Sequence, residues 1–103
     1  MKVYNKLVRD KIPQIIEEAG KKHHTHILDD EAYLTSLNHK LQEELDEYLE
    51  DESVEELADM VEVIIAILNH KQVSLETFES IRKKKQEDRG VFDKKIFLRS
   101  VEE

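Results

Sequence analysis

Apolar positions recur at helical spacing in four separate blocks of this chain, and the polar positions between the blocks hold residues that start and stop helices. In the first block Ile12, Ile15, Ile16 and Ala19 follow one another at three- and four-residue steps or as neighbours. Asp10 is placed to cap it, Pro13 fits the first turn, and Gly20 is a natural stop. Ahead of it, residues 1–9 alternate Lys2, Lys6 and Arg9 with Val3, Tyr4, Leu7 and Val8, which predicts an extended or irregular arm. Residues 21–28 have no helical period, and His24, Thr25, His26, Ile27 and Leu28 read as a short extended piece.

Asp29 or Asp30 caps the second predicted helix, which runs to about Glu50. Its apolar stripe is Leu34, Leu37, Leu41, Leu45 and Tyr48, with Glu44 beside the stripe and Glu47 one step further round. The chain is expected to reverse near Asp51 and Glu52. Ser53 then caps a third helix, with Glu56 at the reciprocal position of a capping box. From 57 to 68 only Asp59 and Glu62 interrupt the apolar residues, which go all the way round the helix. Such a helix is expected to be buried, and Asp59 to point into an interior. Ser74 caps a fourth helix through Leu75, Phe78 and Ile81 to about Asp88, and Gly90 ends it. The tail, residues 91–103, holds Phe92, Ile96, Phe97 and Leu98, which should dock on something. These elements predict one all-α domain over residues 1–103, a helical bundle around an antiparallel helix hairpin.

Composition narrows the field. With 39% charged residues, two Gly and one Pro in 103 positions, the chain suits helices with well-solvated faces. A domain this small buries a modest share of its surface, which favours an oligomer that shares core. The net charge of −8 argues against coating a nucleic-acid polymer. Cysteine is absent, so thiolate metal sites and disulfides are excluded. No apolar run reaches the length of a membrane span and no signal-peptide core opens the chain, so a cytoplasmic location is expected.

The acids change the picture most. Glu44 and Glu47 are three residues apart, as are Glu56 and Asp59, so each pair shares a helical face. About a reversal at Asp51 and Glu52, Glu47 and Glu56 lie about one turn from the bend, and Glu44 and Asp59 about two turns, at a rise of about 1.5 Å per residue. Four converging carboxylates repel one another unless a cation lies between them, and an all-oxygen donor set suits Mg²⁺ or Mn²⁺. Acids are common on exposed helix faces, and Glu56 also serves a helix start. Yet Asp59 sits in an apolar helix, and Lys40 is the only Lys or Arg between Lys22 and Lys71. An ionised buried carboxylate costs several kcal/mol unless it is paired or metal-bound. A di-iron bundle is the nearest competitor, but no Glu here is followed three residues later by His. His23, His24 and His26 fall in the irregular segment and read as a solvated loop.

Glu43-Glu44-Leu45-Asp46-Glu47 followed by Glu56-Leu57-Ala58-Asp59 resembles the acidic signature of the MazG-like all-α NTP pyrophosphatase superfamily. The opening Tyr4-Asn5-Lys6-Leu7-Val8-Arg9-Asp10-Lys11-Ile12-Pro13 is similar to the start of its phosphoribosyl-ATP pyrophosphohydrolase-like branch, as is Lys83-Lys84-Lys85-Gln86-Glu87-Asp88-Arg89-Gly90-Val91-Phe92 to a later stretch. The eight residues between the acidic halves are fewer than in many such proteins. The resemblance implies a homodimer or homotetramer that binds Mg²⁺ through Glu44, Glu47, Glu56 and Asp59, with Glu43 auxiliary. It implies cleavage of a nucleoside triphosphate, or related nucleotide, between the α- and β-phosphates to give a monophosphate and pyrophosphate. Lys6, Arg9, Lys11, Lys85 and Arg89 are the candidates for holding the phosphates, the alternative for each being an ordinary solvated charge or an ion pair to the acidic helices. The alternative is a non-catalytic helical module that binds nucleotide or protein.

Overall fold

The computed structural model describes residues 1–102, so Glu103, the last residue of the tail, lies outside the described residues. Its four helices are α1 (Ile12–Glu18), α2 (Asp30–Asp51), α3 (Val54–His70) and α4 (Leu75–Arg89), and there is no strand among the described residues. The all-α expectation holds. The stretch read as a short extended piece at 24–28 forms no regular element.

Local chemistry explains the helix starts. Asp29 accepts from the Ala32 amide at 2.8 Å, Ser53 from Glu56 at 3.4 Å and Ser74 from Thr77 at 3.1 Å. Each fills one of the amide donors that a helix start leaves open. The first helix departs from expectation. Lys11, not Asp10, is its N-cap, and no side chain caps it. Pro13 in the first turn presets the backbone there.

The centre of the fold is the α2–α3 hairpin. Glu52 adopts a left-handed conformation (φ 53°) that ends α2, and Ser53 starts α3 directly after it. The two helices pack along each other, and Tyr33 near the start of α2 meets His70 at the end of α3 edge-on, ring centroids 5.7 Å apart. α4 packs on α3 alone, and α1 packs on no other helix.

The core of a single chain is thin. Leu37 and Val63 are its only buried apolar residues among those described. The apolar circumference of α3 predicted burial on all sides. One chain instead covers α3 only where α2 and, to a lesser extent, α4 lie against it, leaving Val54, Leu57 and Val61 exposed. Asp59 is not interior either; its side chain keeps 39% of its surface. The tail does not dock on its own chain, with Phe92 97% and Phe97 87% exposed. The radius of gyration is 18.4 Å, against about 13 Å for a compact chain of this length. The accessible surface of 9779 Å² exceeds the roughly 6100 Å² expected of a compact 12.2 kDa monomer. No helix among the described residues is long and apolar enough to cross a membrane.

Candidate functional site

The last turns of α2 supply Glu43, Glu44 and Glu47, and the first turns of α3 supply Glu56 and Asp59. The tight bend at Glu52 folds one set onto the other. Carboxylate oxygens of Glu43, Glu44 and Glu47 lie within 4.8 Å of one another, and so do those of Glu44, Glu56 and Asp59. Glu44 belongs to both triads. All four acids singled out by spacing, and Glu43 with them, therefore converge on one place.

Glu56 is free to join them because it does not close the capping box. Ser53 donates its amide to Asp51 Oδ1 at 3.0 Å, so the reciprocal bond expected of Glu56 is taken by another acid. The Glu56 carboxyl turns to the cluster instead.

Glu44 is the most enclosed of the set, with 6% of its surface exposed. Its Oε1 lies 3.5 Å from Lys40 Nζ, while its Oε2 is buried without a hydrogen-bond partner. Glu56 Oε2 is unpartnered in the same way. A buried polar atom without a partner costs free energy, and native folds leave few of them. The carboxyls respond by holding protons more tightly. Burial pushes Glu44 up from its ordinary value, Glu47 beside it adds to the effect, and Lys40 opposes it. Glu56 is pushed up to about 7, first by desolvation and then by Glu47, Asp51 and Asp59.

Cationic partners exist, but too few. Lys40 reaches Glu43 at 3.2 Å, Lys6 reaches Glu43 at 3.9 Å, and Arg9 Nη2 donates to Asp59 Oδ1 at 2.7 Å. Among the described residues no Lys, Arg or His stands within ion-pair distance of Glu47 or Glu56. The donor set fits a hard divalent cation: all oxygen, more than one carboxylate, two oxygens lacking partners.

Of the five basic residues expected at the phosphates, the structure brings Lys6 and Arg9 to the acids. Lys11 stays exposed at the start of α1, and Lys85 and Arg89 stay exposed on α4, none paired with an acid of the cluster. Sequence reasoning missed Asp51 as the partner of the Ser53 amide, and it allowed Arg9 an ion pair to the acidic helices without singling out Asp59. Asp51 lay within reach of a local pattern, but Arg9 is 50 residues from its partner and leaves no periodic signal. The histidine tract gathers no metal donors among the described residues; His23 pairs with Glu17 at 2.8 Å.

The raised carboxyls set a pH dependence. Between the ordinary 4.5 and the value of about 7 reached by Glu56, the folded protein binds more protons than the unfolded chain, and the raised Glu44 acts in the same direction. Stability therefore falls as pH rises through that window and is lowest above it. Glu79, held low by its hydrogen bond to Arg82, works in the opposite sense, but that pair is exposed and contributes little. In chelator the protein should melt at a higher temperature at pH 5.5 than at pH 8. Added Mg²⁺ should raise the melting temperature at pH 8 most. Scanning calorimetry reads both, and a higher melting point at pH 8 in chelator contradicts the repulsive cluster.

No family model, curated protein or solved structure matches this chain.

Proposed function

We propose that this chain is a MazG-like, Mg²⁺-dependent nucleotide pyrophosphohydrolase. One observation carries the proposal: Glu44, buried and with one oxygen unpartnered, sits at the shared corner of two carboxylate triads. A helix pair that only needed solubility would keep these acids apart and in water. Convergence at a cost to the fold is the usual mark of a functional site.

Glu44, Glu47, Glu56 and Asp59 would hold the ion, with Glu43 auxiliary. When bound, Mg²⁺ (or Mn²⁺) supplies Lewis acidity and offsets the charge of a polyphosphate that bare acids would repel. The remaining work falls to the chain. A carboxylate oxygen of the cluster that does not face the ion would orient a water toward the α-phosphorus and take its proton. The bond from the α-phosphorus to the bridging oxygen breaks, and pyrophosphate leaves with the electron pair. Lys6 and Arg9, on the arm beside the cluster, would hold phosphate oxygens.

The functional unit in this reading is a homodimer or homotetramer. Surface in excess of a compact monomer, and the exposed Val54, Leu57, Val61, Phe92, Ile96 and Phe97, support it. A nucleotide substrate goes with a cytoplasmic setting.

The direct test is a panel of ribo- and deoxyribonucleoside triphosphates with Mg²⁺ or with chelator. The expected products are a monophosphate and pyrophosphate, in Mg²⁺ only. A diphosphate with orthophosphate means cleavage at a different bond. A second reading, the non-catalytic helical module, is favoured by the Arg9–Asp59 pair, which gives the cluster a cationic partner from the chain itself. It predicts no turnover of any nucleotide with either ion.

A further inference from the structure

The amino-terminal arm lies across the acidic cluster with one cation on each triad. Lys6 Nζ is 3.9 Å from Glu43, which belongs to one triad only, and Arg9 Nη2 is 2.7 Å from Asp59, which belongs to the other only. Little else fastens this segment. The arm is irregular, Leu7 is its one half-buried residue, and α1 beyond it packs on no other helix. Both ion pairs are substantially exposed, with side-chain exposures of 57% and 39% for Arg9 and Asp59, so they are weak enough to exchange.

The carboxylate that Arg9 holds is also one of the donors that a divalent ion would need. The Asp59 carboxylate cannot serve both at full strength, because a guanidinium that close repels an incoming cation. Lys6 adds to that repulsion at the other triad. We propose that Arg9 is a tethered counter-cation: it latches Asp59 while the cluster lacks a divalent ion, the ion displaces it, and the freed guanidinium then holds substrate phosphate. This inference rests on the metal-binding reading of the cluster. It goes beyond that reading by giving Arg9 two successive partners and by making arm position report ion occupancy. Arg9 acts here as a positioning residue toward the ion, through the carboxylate for which the two compete.

Two measurements without nucleotide test it. The first is Mn²⁺ binding, read from the free-ion paramagnetic signal, in the wild type, Arg9→Gln and Arg9→Lys. Arg9→Gln should bind Mn²⁺ about two- to fivefold more tightly, the range that loss of an exposed ion pair commands. Arg9→Lys should stay near the wild type. The second exploits the absence of cysteine: Val3→Cys accepts a single nitroxide label, whose mobility should rise when Mg²⁺ is added. Equal or weaker Mn²⁺ binding in Arg9→Gln, or a label indifferent to Mg²⁺, overturns the latch while a wild type that binds Mn²⁺ leaves the metal reading standing. If none of the three proteins binds Mn²⁺ at millimolar concentration, the metal reading fails and the latch goes with it.

Discussion

A Glu44→Gln protein should melt at a higher temperature than the wild type in chelator, and should release pyrophosphate from nucleoside triphosphate at least about a hundredfold more slowly in Mg²⁺. The magnitude is typical of losing one group that stabilises charge at a reacting phosphate. The two effects have one cause. Gln keeps the shape of Glu and removes its charge at the corner shared by both triads, where burial and Glu47 already make that charge costly. Its amide can also donate to neighbouring carboxylates, giving them hydrogen-bond partners. The metal-free fold therefore gains what the ion site loses, and the Mg²⁺-induced rise in melting temperature should shrink. Glu56→Gln should behave alike, since its Oε2 is also buried and unpartnered. Asp59→Asn should lose activity with little gain in stability, because the wild-type Asp59 already has Arg9 as a partner. Calorimetry with and without Mg²⁺, beside pyrophosphate release on the same samples, reads the pattern. A Glu44→Gln enzyme with undiminished turnover would remove the cluster from the mechanism.

The convergence of the acids was legible because it depends on local rules. Capping residues at Asp29, Ser53 and Ser74 fixed where helices begin, and the short polar break at 51–53 fixed the reversal. Given those, rise per residue alone put Glu44 and Glu47 opposite Asp59 and Glu56. The burial of Glu44 was less visible, because it stands beside the apolar stripe of α2 rather than in it. On its α3 side the Glu56 and Asp59 carboxylates lie within 4.8 Å of its own.

What stayed hidden depended on distant or missing neighbours. Lys40 is the only Lys or Arg between Lys22 and Lys71, which suggested that the acids lacked cations. The arm nevertheless brings Arg9 to Asp59 across 50 positions. Hairpin periodicity carries no information about where an irregular arm lies. At the first helix Asp10 offered good capping chemistry, yet the chain enters the helix one residue later and the cap goes unmade. For α3 the pattern stated that all sides are covered, and a single chain leaves Val54, Leu57 and Val61 exposed. An apolar pattern records total burial and does not distinguish the chain's own helices from those of another copy.

Dilution should therefore destabilise this protein, by roughly 3–5 °C in melting temperature for each tenfold fall in concentration, as expected when folding and association are one equilibrium. Val61→Asp should go further and abolish the cooperative transition at micromolar concentration. Val54, Leu57 and Val61 recur at steps of three and four along the outer face of α3, away from the buried Val63. A second copy laid along that stripe would turn the apolar circumference of α3 into core. The surface in excess of a compact monomer is some thousands of Å², the scale that obligate homodimers bury. Only Leu37 and Val63 are buried among the apolar side chains of the described residues, which leaves a single chain little apolar burial to set against the conformational entropy of folding. A charge at Val61 would be buried without a partner in the assembly and fully solvated in the separated chain, so it opposes association directly. Sedimentation velocity and melting curves over a hundredfold concentration range test both statements. A wild type that sediments as a monomer and melts at one temperature throughout shows that the α3 stripe is covered by something other than a second copy.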